Sequence, residues 1–83
     1  MIERRSAMNV AEMHMANGVK KLDEFDLDMA AFYFEIAAEK FLESNNISSA
    51  IEAYEKALYC FETDEKLDRV DEIKTKINTL KSK

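Results

Sequence analysis

The chain contains no proline and only one glycine, Gly18, among its 83 residues. Strands joined by tight turns depend on those two residue types, so the composition argues against a β-sheet domain. A single cysteine, Cys60, excludes an internal disulfide and a cysteine-rich zinc site, and it suits a reducing compartment. We therefore expect an all-α protein.

Long apolar runs and an excess of positive charge are also missing. No segment is apolar for long enough to span a bilayer, and no apolar run follows Glu3, Arg4 and Arg5 as a signal peptide would require. The net charge of −5 argues against nucleic acid and anionic membranes as main partners, because both bind basic surfaces. The expectation is one cytoplasmic helical domain over 1–83, with no membrane insertion.

The chain matches itself at an offset of twenty residues, between segments 26–41 and 46–61. Twenty residues form one helix of about five turns plus a tight connection. The repeating unit is therefore a single helix, and neighbouring copies must run antiparallel. The matched positions, earlier segment first, are Asp26/Asn46, Leu27/Ile47, Ala30/Ala50, Phe34/Tyr54, Glu35/Glu55, Ala37/Ala57 and Phe41/Phe61.

Apolar spacings of three and four residues predict four helices, at about 3–22, 27–43, 48–62 and 64–80. The second is apolar almost all round and is expected at the centre of the domain. The fourth has one polar side and is expected to be a terminal helix facing solvent. The apolar stripe of the first helix consists of Met8, Ala11, Met15, Gly18, Val19 and Leu22.

Helix starts and close contacts can be assigned to particular residues. Gly18 lies on the apolar stripe of the first helix, which predicts close approach by a neighbour. The expected caps are Asp26 for the second helix, Asn46, Ser48 or a box from Ser49 to Glu52 for the third, and Thr63 for the fourth. Phe41 and Tyr54 are expected to fill the core, and Ala37, Ala50 and Ala57 to lie where backbones meet. The predicted fold class is an antiparallel array or bundle of four helices.

Residues 31–64 resemble a tetratricopeptide repeat, a helix–turn–helix unit of protein-binding arrays. Ala38 stands where the family usually has Gly, and Phe34 where it has Trp. The Pro that closes the family's repeat is absent, and Glu62 lies near that point. A fainter match over 18–37 makes the second helix the closing member of a hairpin instead. The positions that carry the resemblance are Phe34, Ala37, Ala38, Phe41, Asn45, Asn46, Ile47, Ala50, Tyr54 and Ala57.

The resemblance implies a non-catalytic interaction or scaffold module with stacked helical hairpins. It also implies that Phe32, Glu35, Glu39 and Leu42 face a concave groove. Two apolar side chains and two acids there would suit a basic-apolar peptide or helix. In the alternatives, the first or fourth helix covers this surface, or a second copy buries it in a homo-oligomer.

A second resemblance is to the microtubule-interacting and trafficking domain, a three-helix bundle that binds amphipathic peptide helices. The family's typical aromatic-plus-Arg-Ala-Glu ending is missing from 73–83, and an additional helix precedes the match. The positions that fit are Ala38, Phe41, Asn46, Ile47, Ala50, Tyr54, Ala57, Leu58 and Phe61.

Residues suited to catalysis or metal binding are few. His14 and Cys60, the only histidine and the only cysteine, lie far apart in sequence, and no residue is placed to orient the histidine. The acids between Asp23 and Asp28 lack the glycine of a calcium-binding loop and are interpreted as helix caps and solvated charges. We expect no catalytic, metal or cofactor site. A small ligand-binding or enzymatic bundle is the alternative of another class, and a polar pocket around His14 and Cys60 would favour it.

Overall fold

Four α-helices joined by three-residue connections form the chain, in a computed structural model that describes the backbone of residues 2–82 and the side chains of residues 10–82. No strand occurs between residues 2 and 82, so the predicted all-α class is confirmed. Over the same residues, no helix combines the length and apolar character needed to cross a bilayer. The helices are α1 (Ile2–Asp23), α2 (Leu27–Glu43), α3 (Ile47–Thr63) and α4 (Leu67–Lys81).

The three connections share one backbone geometry. Phe25, Asn45 and Glu65 adopt left-handed φ angles of 61°, 63° and 58°. The N–H of the residue after each donates to the carbonyl five residues earlier, at 2.9, 2.8 and 2.9 Å respectively. This is the Schellman helix ending. Because it recurs every twenty residues, the repeat includes a third connection that sequence comparison does not detect.

The residue that completes each helix ending is also at the N-cap position of the next helix. The Asp26 carboxylate accepts a hydrogen bond from the N–H of Met29 at 3.3 Å, which confirms the predicted cap. At the start of α3 the Asn46 side chain accepts from the N–H of Ser49 at 3.3 Å, which selects Asn46 among the three candidates. Lys66, in the same position before α4, provides no side-chain cap.

The predicted start of the fourth helix at residue 64, with Thr63 as its cap, is wrong. α3 continues through Thr63, whose hydroxyl donates to the carbonyl of Tyr59 at 2.8 Å, as in a helix interior. The chain turns at Glu65, and α4 begins at Leu67. Asp64 and Glu65, which resemble the acidic first turn of a helix in the sequence, therefore lie in the connection. The other predicted helix ends agree with the structure to within one residue.

The helices form a thin antiparallel array. Helix α2 packs against α1 and α3, and α4 packs against α3. Salt bridges from Lys66 in the α3–α4 connection to Asp28 (3.1 Å) and from Arg69 of α4 to Glu35 (2.5 Å) link this part of the chain to α2. The Cα atoms span 43 × 33 × 12 Å. Since a helix is about 4.6 Å wide at its Cα atoms, a thickness of 12 Å corresponds to a shallow zigzag of helices.

Among the described side chains, those of the buried core come mainly from α2, α3 and α4. Phe34, Ile73 and Cys60 are its largest fully buried side chains, and Tyr54 is buried as predicted. Phe41 is only half-buried, so its predicted core position is corrected to the core edge. The buried cluster comprises Ala30, Ala31, Phe34, Ala37, Ala38, Ala50, Ala53, Tyr54, Ala57, Cys60, Phe61, Val70, Ile73, Ile77 and Leu80.

The α1–α2 contact depends on Gly18. A Cβ atom built at this position would lie 2.5 Å from Cε1 of the Phe34 ring, so the close approach predicted at Gly18 is confirmed. Val19, assigned to the same stripe, is exposed. Met8 lies outside the described side chains.

Replacing Gly18 with alanine should destabilise the protein by about 1 kcal/mol. Alanine gains up to about 1 kcal/mol in helix propensity, but overpacking against a buried ring costs about 1–3 kcal/mol. Urea denaturation followed by circular dichroism measures the difference. The matched control is Ala16→Gly at an exposed position of α1, which reports the propensity term alone. A stabilised Gly18→Ala variant would contradict the prediction, because it would mean that the Phe34 ring moves aside freely.

Candidate interaction surface

The four residues assigned to the groove lie along one side of α2, at spacings of three, four and three residues. Phe32 is 53% exposed, and Glu39 is exposed as well. Glu35 and Leu42 are half-buried, at the border with the neighbouring helices. The four side chains thus form a ridge open at Phe32 and Glu39 and partly covered at the other two positions.

Helix α4 covers Glu35. An Arg69 Nη2 hydrogen donates to Oε2 of Glu35 at 2.5 Å, and the guanidinium lies 4.9 Å from the centroid of the Phe61 ring. Arg69 also bonds Glu72 on its own helix. The hydrogen bond to Glu35 raises the pKa of Arg69, so the guanidinium stays charged. Glu35 therefore stabilises the α2–α4 contact and is not a free acid on the surface.

Leu42 lines an open cleft between α2 and α4. The floor is the Tyr54 ring of α3, and Lys76 Nζ lies 5.6 Å from the centroid of that ring. Burial raises the pKa of Tyr54, and the charges of Glu39 and Glu35 raise it further. The hydroxyl therefore remains neutral at physiological pH. The cleft is lined by Leu42, Tyr54, Thr75, Lys76, Thr79 and Leu80.

A second surface lies on the opposite side of the array, where α1 meets α3. Leu22 of α1 lines a shallow hollow there with Glu52, Glu55 and Lys56 of α3, and Tyr59 stands at its edge with 56% of its surface exposed. Sequence reasoning missed this surface. The signal was the spacing of Glu52, Glu55 and Tyr59, which places two acids and an aromatic ring on one exposed side of α3.

His14 and Cys60 occupy separate environments. The half-buried His14 ring stacks on Tyr33 of α2, with 6.1 Å between centroids, and its Nδ1 is buried without a hydrogen-bond partner among the described residues. Cys60 is fully buried in α3. Within residues 10–82 no group of three or more His, Cys, Asp or Glu side chains is arranged to hold a metal ion.

Stability should fall at alkaline pH because of Cys60. Burial raises the pKa of its thiol to about 11, whereas an unfolded chain ionises near pH ~8.5. Between those values the unfolded chain releases a proton that the folded protein retains. The free energy of unfolding should therefore decrease over that interval, by about 3 kcal/mol, and be unaffected by this group below it.

Denaturation curves across this pH range, for the wild type and for Cys60→Ala, isolate the contribution of the thiol. The variant should be less stable at neutral pH because of its cavity, but it should lose less stability on alkalinisation. Equal slopes for the two proteins would show that Cys60 ionises alike in both states.

Comparisons with protein-family models, curated protein sequences and solved structures find no match to this chain.

Proposed function

We propose that this chain is a non-catalytic protein-interaction or scaffold module, built from tetratricopeptide-like helical hairpins. The proposed ligand is an amphipathic helix or short peptide with apolar and basic side chains. Its apolar side chain occupies the cleft between α2 and α4, and its basic group faces Glu39. The observation that carries the proposal is the open, largely apolar cleft formed by Leu42, Tyr54 and Leu80.

The hairpin packing supports a binding surface of this kind. Small residues at the crossings bring α2 and α3 close together, so Tyr54 of α3 forms the floor between α2 and α4. A concave surface formed by alternate helices is the usual binding side of helical repeat proteins. Phe32 adds an exposed aromatic ring farther along α2, separated from the cleft by Glu35 and Glu39.

The charge distribution supports a basic ligand. Helix α2, which carries Glu39, has four acidic residues and one lysine, whereas α4 on the other side of the cleft has three acids and four bases, so the basic group of a ligand is expected on the α2 side. Opposite charge accelerates encounter and determines orientation more than it increases affinity. We therefore expect binding that weakens at high salt.

The test is selection of binding peptides from a displayed random library, followed by synthesis of one selected peptide and titration to measure its affinity. The selected peptides should combine apolar residues with Lys or Arg. Glu39→Lys should weaken the affinity of the synthesised peptide about tenfold, because it places like charges opposite each other. Leu42→Ala should weaken it as well, by removing apolar contact in the cleft.

Two control variants lie on the opposite surface. Glu52→Lys makes the same change in net charge, and Tyr59→Ala removes an exposed aromatic ring. Neither should change the affinity by more than about twofold, and circular dichroism should show unchanged helicity in all four variants. Equal losses for Glu39→Lys and Glu52→Lys would reduce the effect to net charge and would contradict the assignment of the cleft.

A further inference from the structure

The α3–α4 connection is poorly specified by its own residues. At the α2–α3 connection, Asn45 tolerates the left-handed conformation, and the side chain of Asn46 caps the next helix. At the α3–α4 connection, Glu65 takes that conformation at φ 58°, and Lys66 makes no cap. Left-handed backbone is unfavourable for a residue with a Cβ, and glutamate has no compensating turn chemistry.

The same residues favour an uninterrupted helix. Segment 62–69 contains no Gly, Pro or Asn, and its Glu, Lys, Leu and Arg residues are good helix formers, although Thr63, Asp64 and Asp68 are weaker ones. In a continuous helix over 47–81, Glu62 would precede Lys66 by four residues and Glu65 would precede Arg69 by four. Both are the favourable order for ion pairs along a helix. The sequence therefore supports two conformations of this connection, one bent and one straight.

Straightening the connection would separate α4 from its own core. In the bent form α4 buries a single apolar stripe, formed by Val70, Ile73, Ile77 and Leu80. Removing α4 would expose the surface of α2 and α3 that this stripe covers, including the ring of Phe61. Such a surface needs a partner. The α4 helix of a second copy fits this surface, because it is identical to the α4 helix that covers the surface in the closed chain.

We propose that α4 exchanges between two copies of this chain. In the exchanged dimer the α3–α4 connection is straight, and the α4 helix of each copy occupies the α2–α3 surface of the other. Each Arg69 then bonds the Glu35 of the partner copy. The dimer preserves the contacts that α4 makes with α2 and α3 in the closed monomer and relieves the left-handed conformation of Glu65 twice, which is the usual basis of domain swapping.

Charge reversal across the Arg69–Glu35 pair tests the proposal. Glu35→Arg and Arg69→Glu each place like charges together, both in the monomer and in a dimer of that variant alone. When the two variants are unfolded, mixed and refolded at high concentration, both pairs are complementary only in an exchanged heterodimer. Native mass spectrometry separates the variants by mass, and the heterodimer should exceed either homodimer about tenfold.

A statistical mixture of dimers, or monomers alone, in the mixed sample would overturn the proposal. A dimer formed through some other surface would give the statistical mixture, because the charge reversal would not affect it. Where the single variants fold poorly, the double variant Glu35→Arg/Arg69→Glu is mixed with the wild type instead. Each chain then has a complementary pair of its own, but an exchanged heterodimer places like charges together at both pairs and should be depleted about tenfold.

Variants of the connections provide an independent test by light scattering. Glu65→Gly with Lys66→Asn should favour the bent form and lower the dimer fraction of refolded protein about tenfold. Phe25→Gly is the matched control, since it relieves the same conformation at φ 61° in the α1–α2 connection without affecting α4. The dimer fraction should be unchanged by Phe25→Gly. Equal responses to the two changes, or no response to either, would show that the α3–α4 connection does not control association.

Discussion

Replacing Phe34 with alanine should lower the free energy of unfolding by about 3–5 kcal/mol, as truncations of buried aromatic residues do. The Phe34 side chain is 0% exposed, and its ring packs against α1 at Gly18, where a Cβ atom would lie 2.5 Å from Cε1 of the ring. Removing it leaves a cavity at the α1–α2 contact and within the cluster that joins α2 to α3 and α4. Since the free energy of unfolding of a domain is about 5–15 kcal/mol in total, this loss would be a large part of the stability of the protein.

Denaturation by urea measures the loss, and Phe32→Ala is the matched control two residues away on the same helix. More than half of the Phe32 surface is already exposed, so its removal should cost less than about 1 kcal/mol. Phe41→Ala should fall between the two, because Phe41 lies at the core edge. If Phe34→Ala and Phe32→Ala had similar effects, the orientation of α2 described here would be wrong.

Local sequence signals predicted the first two connections of this fold. Asp26 and Asn46 are good helix caps that follow a break in apolar periodicity, and each precedes a matching Ala at the same spacing. The third connection has the same geometry without the same signals. Lys66 is not a capping residue, and Lys74 replaces the aromatic residue of the repeat, so the third copy is not apparent from sequence. There the packing of α4 on α3, and not local preference, determines where the chain turns.

The sequence predicts only those features of the candidate surface that depend on α2 alone. The spacing of Phe32, Glu35, Glu39 and Leu42 places them on one side of α2, but exposure depends on the neighbouring helices. Glu35 and its partner Arg69 are 34 residues apart in sequence. Neither helix contains a local feature that selects this pair over other acids and bases nearby. The cover over Glu35 and the open cleft at Leu42 are therefore consequences of tertiary packing.

Enlarging the buried alanines should also destabilise the protein strongly. Ala37, Ala50 and Ala57 are all 0% exposed, so each Ala→Leu change should cost about 1–3 kcal/mol by overpacking. Combining the three would approach the total stability of the domain. Ala50 and Ala57 lie on the side of α3 that carries Tyr54, so the longer side chains would force α2 and α3 apart and distort the floor of the cleft.

Denaturation of the three single variants, with Ala16→Leu on the exposed side of α1 as control, measures the effect. Leucine is nearly as good a helix former as alanine, so the control should be close to neutral. Neutral results at two of the three buried positions would mean that α2 and α3 have room between them. The description of α2 and α3 as closely packed would then be wrong, and so would the position of Tyr54 at the base of the proposed binding cleft.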